Sequence, residues 1–220
     1  MNNNLMLNDE NTLIENGYTQ FGKNNIVLQN RPGAEVNFNY NYYYPNSEAF
    51  ASDLNQTLST LSREYYQLIV SNSEEMYITG VVSASLDRSL TQSFTPPEIT
   101  ERCAGFSEEG INELLHIPAL ICRENTAYKG ETDPNQYCML CLLQKIQVLR
   151  KEVNIAFKPL FPIQQLILCD RRNSIFFGLD MSRSITDLNH SAWSVRKINI
   201  FEALEEAGIH FPLAAFSLNK

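Results

Sequence analysis

Alternation of apolar and polar residues is clearest near the amino terminus of the chain. Between residues 36 and 42, apolar or aromatic side chains alternate with asparagine, and these side chains are Val36, Phe38, Tyr40 and Tyr42. A period of two is typical of a strand with one buried face. The segment 25–29, whose central residues 26–28 are apolar, and a turn at Pro32 and Gly33 complete a predicted β-hairpin over 24–44. Its polar face is uncharged, so we expect it to pair with another chain's sheet edge.

The rest of the pattern predicts short helices and strands in separate blocks. Helices are predicted over 46–61, 95–105, 107–117 and 199–208, with capping residues at their starts. Strands are predicted over 65–70, 77–82, 119–122, 163–169 and 174–179, around Trp193, and as a hairpin over 138–157. This order favours an α+β fold with a strongly bent or barrel-like antiparallel sheet and about four short helices.

The domain organisation follows from the same pattern. The leader through about Gly22 shows little periodicity, which predicts a loosely ordered arm. We therefore expect residues 1–45 to form an N-terminal arm and β-hairpin that act as an assembly element. Residues 46–220 are predicted to form a single α+β globular domain.

Composition limits the cellular setting. Hydrophobic residues make up 44% of the chain and charged residues 19%, as in globular proteins. No apolar run approaches the ~18 residues of a membrane span, and the first 16 residues lack the pattern of a signal peptide. Five cysteines, an odd number, indicate free thiols in a reducing compartment. We expect a cytoplasmic protein without membrane association.

Charge is distributed unevenly along the chain. The net charge is −8, with 18 acids and 7 bases in residues 1–135 but 7 acids and 10 bases in residues 136–220. This balance argues against broad nucleic-acid binding, which needs many phosphate contacts. A basic face for a small anionic ligand, if present, belongs to the last third. The alternative is an ordinary solvated surface.

No catalytic residue and no cofactor are predicted from motifs. The nine glycines are scattered, so no phosphate-binding loop is present, and no G-x-S-x-G nucleophile turn occurs. Cys138 and Cys141 form a C-x-x-C pair, but zinc usually needs a second pair of ligands. They are weak metal candidates, and buried thiols are the alternative.

A convergent ligand or partner site stays open between the polar loop at 123–133 and the basic last third. Its candidate residues are Arg123, Asn125, Tyr128, Thr132, Asp133, Arg171, Arg183, His190, Trp193 and Arg196. Trp193 beside Arg196 would suit a nucleotide or single-stranded nucleic acid. The alternative is a strand whose tryptophan anchors the core.

One segment carries a family resemblance. Residues 22–30 read GKNNIVLQN, and residues 34–39 read AEVNFN. This segment resembles short asparagine-rich strands of bacterial conflict-system (anti-phage) effectors and their associated proteins. The resemblance implies an attachment element next to a sensor or effector, and it transfers no catalytic residue.

Two functions follow as hypotheses. The first is a non-enzymatic accessory, adaptor or sensor module for protein–protein assembly in a bacterial signalling or defence system. Its hairpin would mediate self-association or assembly, and its last third would bind a protein partner. The second is a nucleotide-binding, anion-binding or hydrolytic domain with a basic C-terminal pocket.

Overall fold

The computed structural model describes residues 58–209 and, nearer the amino terminus, the backbone of four short strands. The chain divides into two compact units, Met1–Leu58 with Tyr77–Thr79, and Ser59–Met76 with Gly80–Lys220. The four strands are β1 (Met6–Leu7), β2 (Thr12–Glu15), β3 (Tyr18–Phe21) and β4 (Ile26–Gln29). They form an antiparallel sheet in chain order.

These strands differ in part from the expected arm. β1 to β3 lie in the leader, where the sequence predicts no regular structure. Strands of two to four residues are too short to show an alternating pattern. β4 coincides with the first predicted hairpin strand and pairs with β3. The predicted second strand at 36–42 lies outside the described residues, as does most of the predicted helix at 46–61.

The second unit contains a six-stranded sheet. Its strands are β5 (Tyr66–Ser71), β6 (Val81–Ser85), β7 (Ala119–Arg123), β8 (Tyr137–Val148), β9 (Glu152–Gln164) and β10 (Ala192–Arg196). Their order is β10-β5-β7-β8-β9-β6, and β5 and β7 form the one parallel pair among them. The sheet curls, and β6 approaches β5 and β10. The predicted α+β class with a bent sheet is confirmed.

Burial explains why the central strands are so apolar. All six residues of β5 and the first four residues of β7 are buried. Strands covered on both faces carry continuous apolar runs instead of alternating ones. β8 and β9 form the predicted long hairpin, with irregular register after Leu140 and Leu143. Such bulges bend a strand pair and increase its twist.

Six α-helices lie between residues 60 and 209 of the described chain. They are α1 (Met76–Thr79), α2 (Pro97–Cys103), α3 (Glu108–Leu115), α4 (Gln165–Cys169), α5 (Arg171–Ser174) and α6 (Ile200–Glu206). Two predicted caps are confirmed. Ser107 Oγ accepts from the Gly110 amide at 3.1 Å, and Asn199 Oδ1 accepts from the Phe201 amide at 3.2 Å.

The predicted cap at Thr95 is wrong. Pro96 occupies the N-cap position of α2 and makes no side-chain cap bond. The buried Thr95 hydroxyl accepts instead from the Val195 amide on β10, at 3.1 Å. The Thr91 amide donates to the carbonyl of Trp193 at 3.0 Å. Residues 91–95 therefore cover the outer edge of β10.

Three predicted strands are wrong in whole or part. The segment 77–82 contains the last three residues of α1, then Gly80, a left-handed residue with φ 68°, and then the first two residues of β6. The segments 163–169 and 174–179 contain the end of β9, then α4, then the end of α5 and turns. Short apolar runs do not distinguish a strand from a buried helical turn by periodicity alone.

Candidate functional site

The loop after β7 is held by a side chain that acts as a strand partner. The Arg123 amide donates to Gln165 Oε1 at 3.1 Å, and Gln165 Nε2 donates to the Arg123 carbonyl at 2.7 Å. One buried glutamine thus satisfies both backbone groups of Arg123, as a neighbouring strand would. The chain of β9 turns into α4 at this glutamine.

Asn125 lies buried at the centre of this region. Its Oδ1 accepts from Gln165 Nε2 at 2.7 Å and from Gln136 Nε2 at 3.4 Å. Its Nδ2 donates to Cys169 Sγ at 3.4 Å, and its backbone amide donates to the Leu188 carbonyl at 2.7 Å. Both ends of the amide are occupied, so Asn125 holds the loop in place.

Asn189 connects the loop at residues 186–189 to the loop after β7 by hydrogen bonds. Its Nδ2 donates to the carbonyls of Asn125 and Ala127 at 2.9 and 2.7 Å. Its Oδ1 accepts from the Thr186 amide and hydroxyl at 2.9 and 2.7 Å. We call the four amide side chains Asn125, Gln136, Gln165 and Asn189 the clasp. The clasp joins the loop after β7 to α4 and to residues 186–189.

Arg196 is a buried ion-pair residue on β10. Its Nη2 lies 3.3 Å from Asp187 Oδ2, and its Nη1 donates to the Gly178 carbonyl at 3.1 Å. The side chains of Arg196 and Asp187 are only 10% and 8% exposed. The Phe94 ring covers the guanidinium, with Cζ 4.3 Å from the ring centroid. Within residues 58–209, the buried Nε has no hydrogen-bond partner.

Trp193 is a core residue of the same strand. It is fully buried, and its Nε1 donates to Gln67 Oε1 at 3.0 Å. Gln67 in turn donates to the carbonyls of Leu114 and Ile117 at 2.9 and 2.8 Å. The ring lies 5.8 Å from that of Phe106. These contacts favour the anchoring role of the tryptophan over stacking on a ligand.

The predicted arginines lie in separate ion pairs. Arg123 pairs with Glu74, and Arg183 Nε lies 2.8 Å from Asp180 Oδ2. Arg196 pairs with Asp187, as described above. Arg171 is exposed on α5. This arrangement does not gather the predicted guanidinium groups around one ligand position.

The other predicted residues are dispersed. Tyr128 is exposed, and the Thr132 hydroxyl is buried with no partner in the described part of the chain. Asp133 Oδ1 accepts from the Asn135 amide at 2.8 Å, which stabilises a turn. His190 is half-buried beside Ser191, whose hydroxyl donates to Glu124 Oε2 at 3.1 Å.

All five cysteines are free and buried. Burial raises the pKa of Cys103 and of Cys169 to about 11, and it raises the pKa of Cys122 and of Cys141 further. These four thiols are therefore protonated at neutral pH and react slowly. In the described segments, no three His, Cys, Asp or Glu side chains lie together as a group that could hold a metal ion.

Exposed side chains lie on or next to the segments that the clasp joins, which are the loop after β7, α4 with α5, and residues 183–185. The large apolar ones are Tyr128, Leu166, Ile175 and Ile185, and the basic ones are Lys129, Arg171, Arg172 and Arg183. The Lys129 amide donates to the Ser184 carbonyl at 2.8 Å, so two of these segments are in direct contact. Gly130 packs near the Cys169 carbonyl and Met181. We call these eight residues the C-terminal cap.

Sequence reasoning selected Tyr128, Arg171 and Arg183 of this surface but missed the clasp residues Gln136, Gln165 and Asn189. The sequence feature that could have identified Gln165 is its position as a polar amide within the mostly apolar segment 160–169. A glutamine in such a run is buried and must find hydrogen-bond partners.

No family model, curated protein or solved structure matches the chain. No helix in the described residues is long and apolar enough to cross a membrane.

Proposed function

We propose that the protein is an accessory or adaptor module that binds a protein partner through the C-terminal cap. The observation that carries this proposal is the exposure of large apolar side chains and of bases on segments that hydrogen bonds join to one another. Tyr128 is 64% exposed, Ile175 72% and Ile185 60%. Grouped exposed apolar residues mark interaction sites more often than scattered ones do.

The side chains of the cap have the chemistry of an interface. Tyrosine and arginine are enriched where protein interfaces contribute most to binding. Full burial of one isoleucine side chain contributes roughly 1.5–3 kcal/mol. Ile175 and Ile185 gain little of this burial free energy in the free protein, because both are more than half exposed.

The clasp supports the same proposal through rigidity. Both loops of the cap are joined by the four clasp amides, and Asn125 and Gln165 are buried. A surface already fixed in shape loses less conformational entropy when a partner binds. The clasp therefore acts as a scaffold that presents the cap.

The resemblance of residues 22–39 supports a place for this module in a bacterial signalling or defence system. The predicted hairpin would attach the protein beside a sensor or effector, through Val36, Phe38, Tyr40 and Tyr42. Five free buried thiols suit our proposed location, the cytoplasm.

Affinity capture with the full chain tests the partner-binding role. We expect a saturable partner whose recombinant form binds the wild type in calorimetry and loses at least tenfold affinity with Ile175→Asp. Val148→Asp is the matched control, because Val148 is also exposed but lies on β8. Equal loss with both variants, or no loss with Ile175→Asp, would contradict the proposal.

The hairpin role is tested separately. Tyr40→Asp in the full chain should weaken attachment to a third component or to other copies, while leaving binding at the cap unchanged. Light scattering after size exclusion measures the first effect, and calorimetry measures the second. Unchanged assembly with Tyr40→Asp would remove the hairpin from the proposal.

Anion or nucleotide binding is the second candidate function. In its favour, the Nε of Arg196 is buried without a partner in the described residues. Thermal shift with nucleotides and divalent metals is the test. A shift of several degrees that is lost in Arg196→Lys, at matched starting stability, would support this candidate.

A further inference from the structure

A second charged surface lies on α2 and α3. Residues 98–113 contain five acids and one base. Glu98 and Glu113 are paired, since Glu98 accepts from Tyr65 and Glu113 pairs with Arg102. The three remaining carboxylates are exposed and unpaired among the described residues, and they belong to Glu101, Glu108 and Glu109. We call them the acidic ridge.

An exposed aromatic residue precedes the acidic ridge along the chain. Phe94 lies three residues before α2 and is 38% exposed, with its ring over the buried Arg196 guanidinium. The segment 94–109 therefore carries both exposed negative charge and an exposed aromatic ring. Acidic residues alone are an ordinary solubility feature. A binding role for the ridge therefore requires a complementary basic surface.

The C-terminal cap supplies that complement. Lys129 and Arg171 are exposed without an ion-pair partner in the described residues. Arg172 and Arg183 pair with Asp170 and Asp180, but their side chains stay 89% and 78% exposed. Each of these two aspartates also accepts a backbone bond, from Arg172 and Ser182 respectively. Their charges are thus partly satisfied within the cap, and the bases remain the outward groups.

We propose that the C-terminal cap of one molecule docks on the acidic ridge of a second copy of this chain. This inference rests on the proposed function and names the partner of the cap. Arg171 would face Glu101 and Lys129 would face Glu108, and the exposed isoleucines would face Phe94. The second copy is the favoured occupant because the chain itself carries a surface of matching charge and apolar character.

The geometry of such a contact is head to tail. The two surfaces are different patches, so the contact is heterologous, and a pair of copies keeps one unused cap and one unused ridge. Association then continues to a closed ring or an open series. Opposite charges at the contact make it weaken as salt is raised, because exposed charges are screened.

Sedimentation velocity on the full chain tests the proposal through charge reversal. We expect the average mass to rise with concentration at low salt and to fall at high salt. Arg171→Glu and Glu101→Arg should each weaken association at least tenfold. Glu101 suits reversal because it lies in the second half of α2, where a base agrees with the helix dipole.

Restoration gives the decisive result. An equimolar mixture of the two single variants, or one chain carrying both changes, should return association to within about threefold of wild type, since each pair of facing charges is again opposite. Arg150→Glu reverses an exposed charge in the β8–β9 turn and is the control. It should neither weaken association by itself nor restore association when mixed with Glu101→Arg.

Three outcomes overturn the inference. They are a monomer at every concentration and salt, reversals that weaken association but do not restore it together, and association that only Tyr40→Asp removes. In each case the proposed function survives if Ile175→Asp still abolishes binding of a captured protein. That function fails if Ile175→Asp loses no binding or if the control Val148→Asp loses as much.

Discussion

The central sheet and the clasp hold the same domain together by different physical means. β5 and β7 are buried along their length by apolar contact, with Ile69, Leu120 and Ile121 fully covered. The clasp instead fixes two loops by amide hydrogen bonds of 2.7 to 3.4 Å. Burial is non-directional and tolerates changes of shape, whereas each hydrogen bond requires one particular pair of atoms.

This difference predicts which kind of substitution destabilises each region. In the sheet, removal of volume should be costly and exchange of one apolar residue for another should be mild. In the clasp, loss of one polar atom leaves its buried partner without a hydrogen bond. Variants that separate lost volume from lost hydrogen bonds test this comparison directly.

The largest effect is expected for Trp193→Ala. Removal of a fully buried indole should lower the free energy of unfolding by about 4 kcal/mol. Trp193→Phe keeps most of the volume but leaves Gln67 Oε1 without its donor, so it should cost roughly 1–3 kcal/mol. Urea unfolding measures both. Equal losses would show that the hydrogen bond, not volume, dominates at this position.

The buried ion pair comes next. Asp187→Ala leaves the Arg196 guanidinium buried without its counter-charge and should cost about 3 kcal/mol. The double variant Asp187→Leu with Arg196→Met should recover more than half of that loss, because no charge remains buried. Thermal or urea unfolding measures the cycle. Arg183→Ala, at an exposed pair, is the control and should change stability by less than about 0.5 kcal/mol.

The sheet could be predicted from the sequence because its signal is local. The apolar run of Cys138 to Leu143 and the alternation at Val153, Ile155 and Phe157 indicate a hairpin before any tertiary contact is known. The structure pairs these segments as β8 and β9. The parallel pairing of β5 with β7 was not predictable in this way, since it joins strands about 50 residues apart.

The strand predicted for the segment after β9 is wrong because the conformation of this segment depends on a hydrogen-bond partner that is distant in the sequence. The apolar residues Leu166 to Leu168 suit a strand or a helix, and Gln165 turns the chain only because Arg123 lies opposite. The ion pair of Asp187 with Arg196 was equally hidden. The sequence indicates Arg196 as a ligand or partner candidate, because nothing along the chain marks Asp187 as its ion-pair partner.

The clasp itself gives the third prediction. Gln165→Leu introduces an apolar side chain of similar size. It leaves the Arg123 amide without a partner and leaves the Arg123 carbonyl only the 3.2 Å bond from Gln136 Nε2, so it should cost roughly 1–3 kcal/mol. Hydrogen exchange at the Arg123 amide should accelerate with it. Gln144→Leu, an exposed site on β8, is the control. Unchanged exchange at Arg123 in Gln165→Leu would mean that the glutamine does not hold the loop.

The smallest effect concerns the turn that carries Tyr128 on the cap. The Glu131 amide donates to the Tyr128 carbonyl at 3.2 Å, and the two central residues, Lys129 and Gly130, have φ values of 62° and 77°. Positive φ at both central positions is the pattern of a type I′ turn, which favours Asn followed by Gly. A lysine in this conformation carries strain.

Lys129→Asn should therefore stabilise the fold by about 0.5 kcal/mol while removing one positive charge from the cap. We expect a higher urea midpoint together with weaker association at the cap, so stability and binding change in opposite directions. Lys129→Arg keeps both the charge and the strain, and it should leave stability and association close to wild type. A lower urea midpoint for Lys129→Asn would show that Lys129 contributes to the fold by a contact other than this turn. Unchanged association would leave the lysine out of the binding surface, and the cap would then act through its apolar residues and arginines alone.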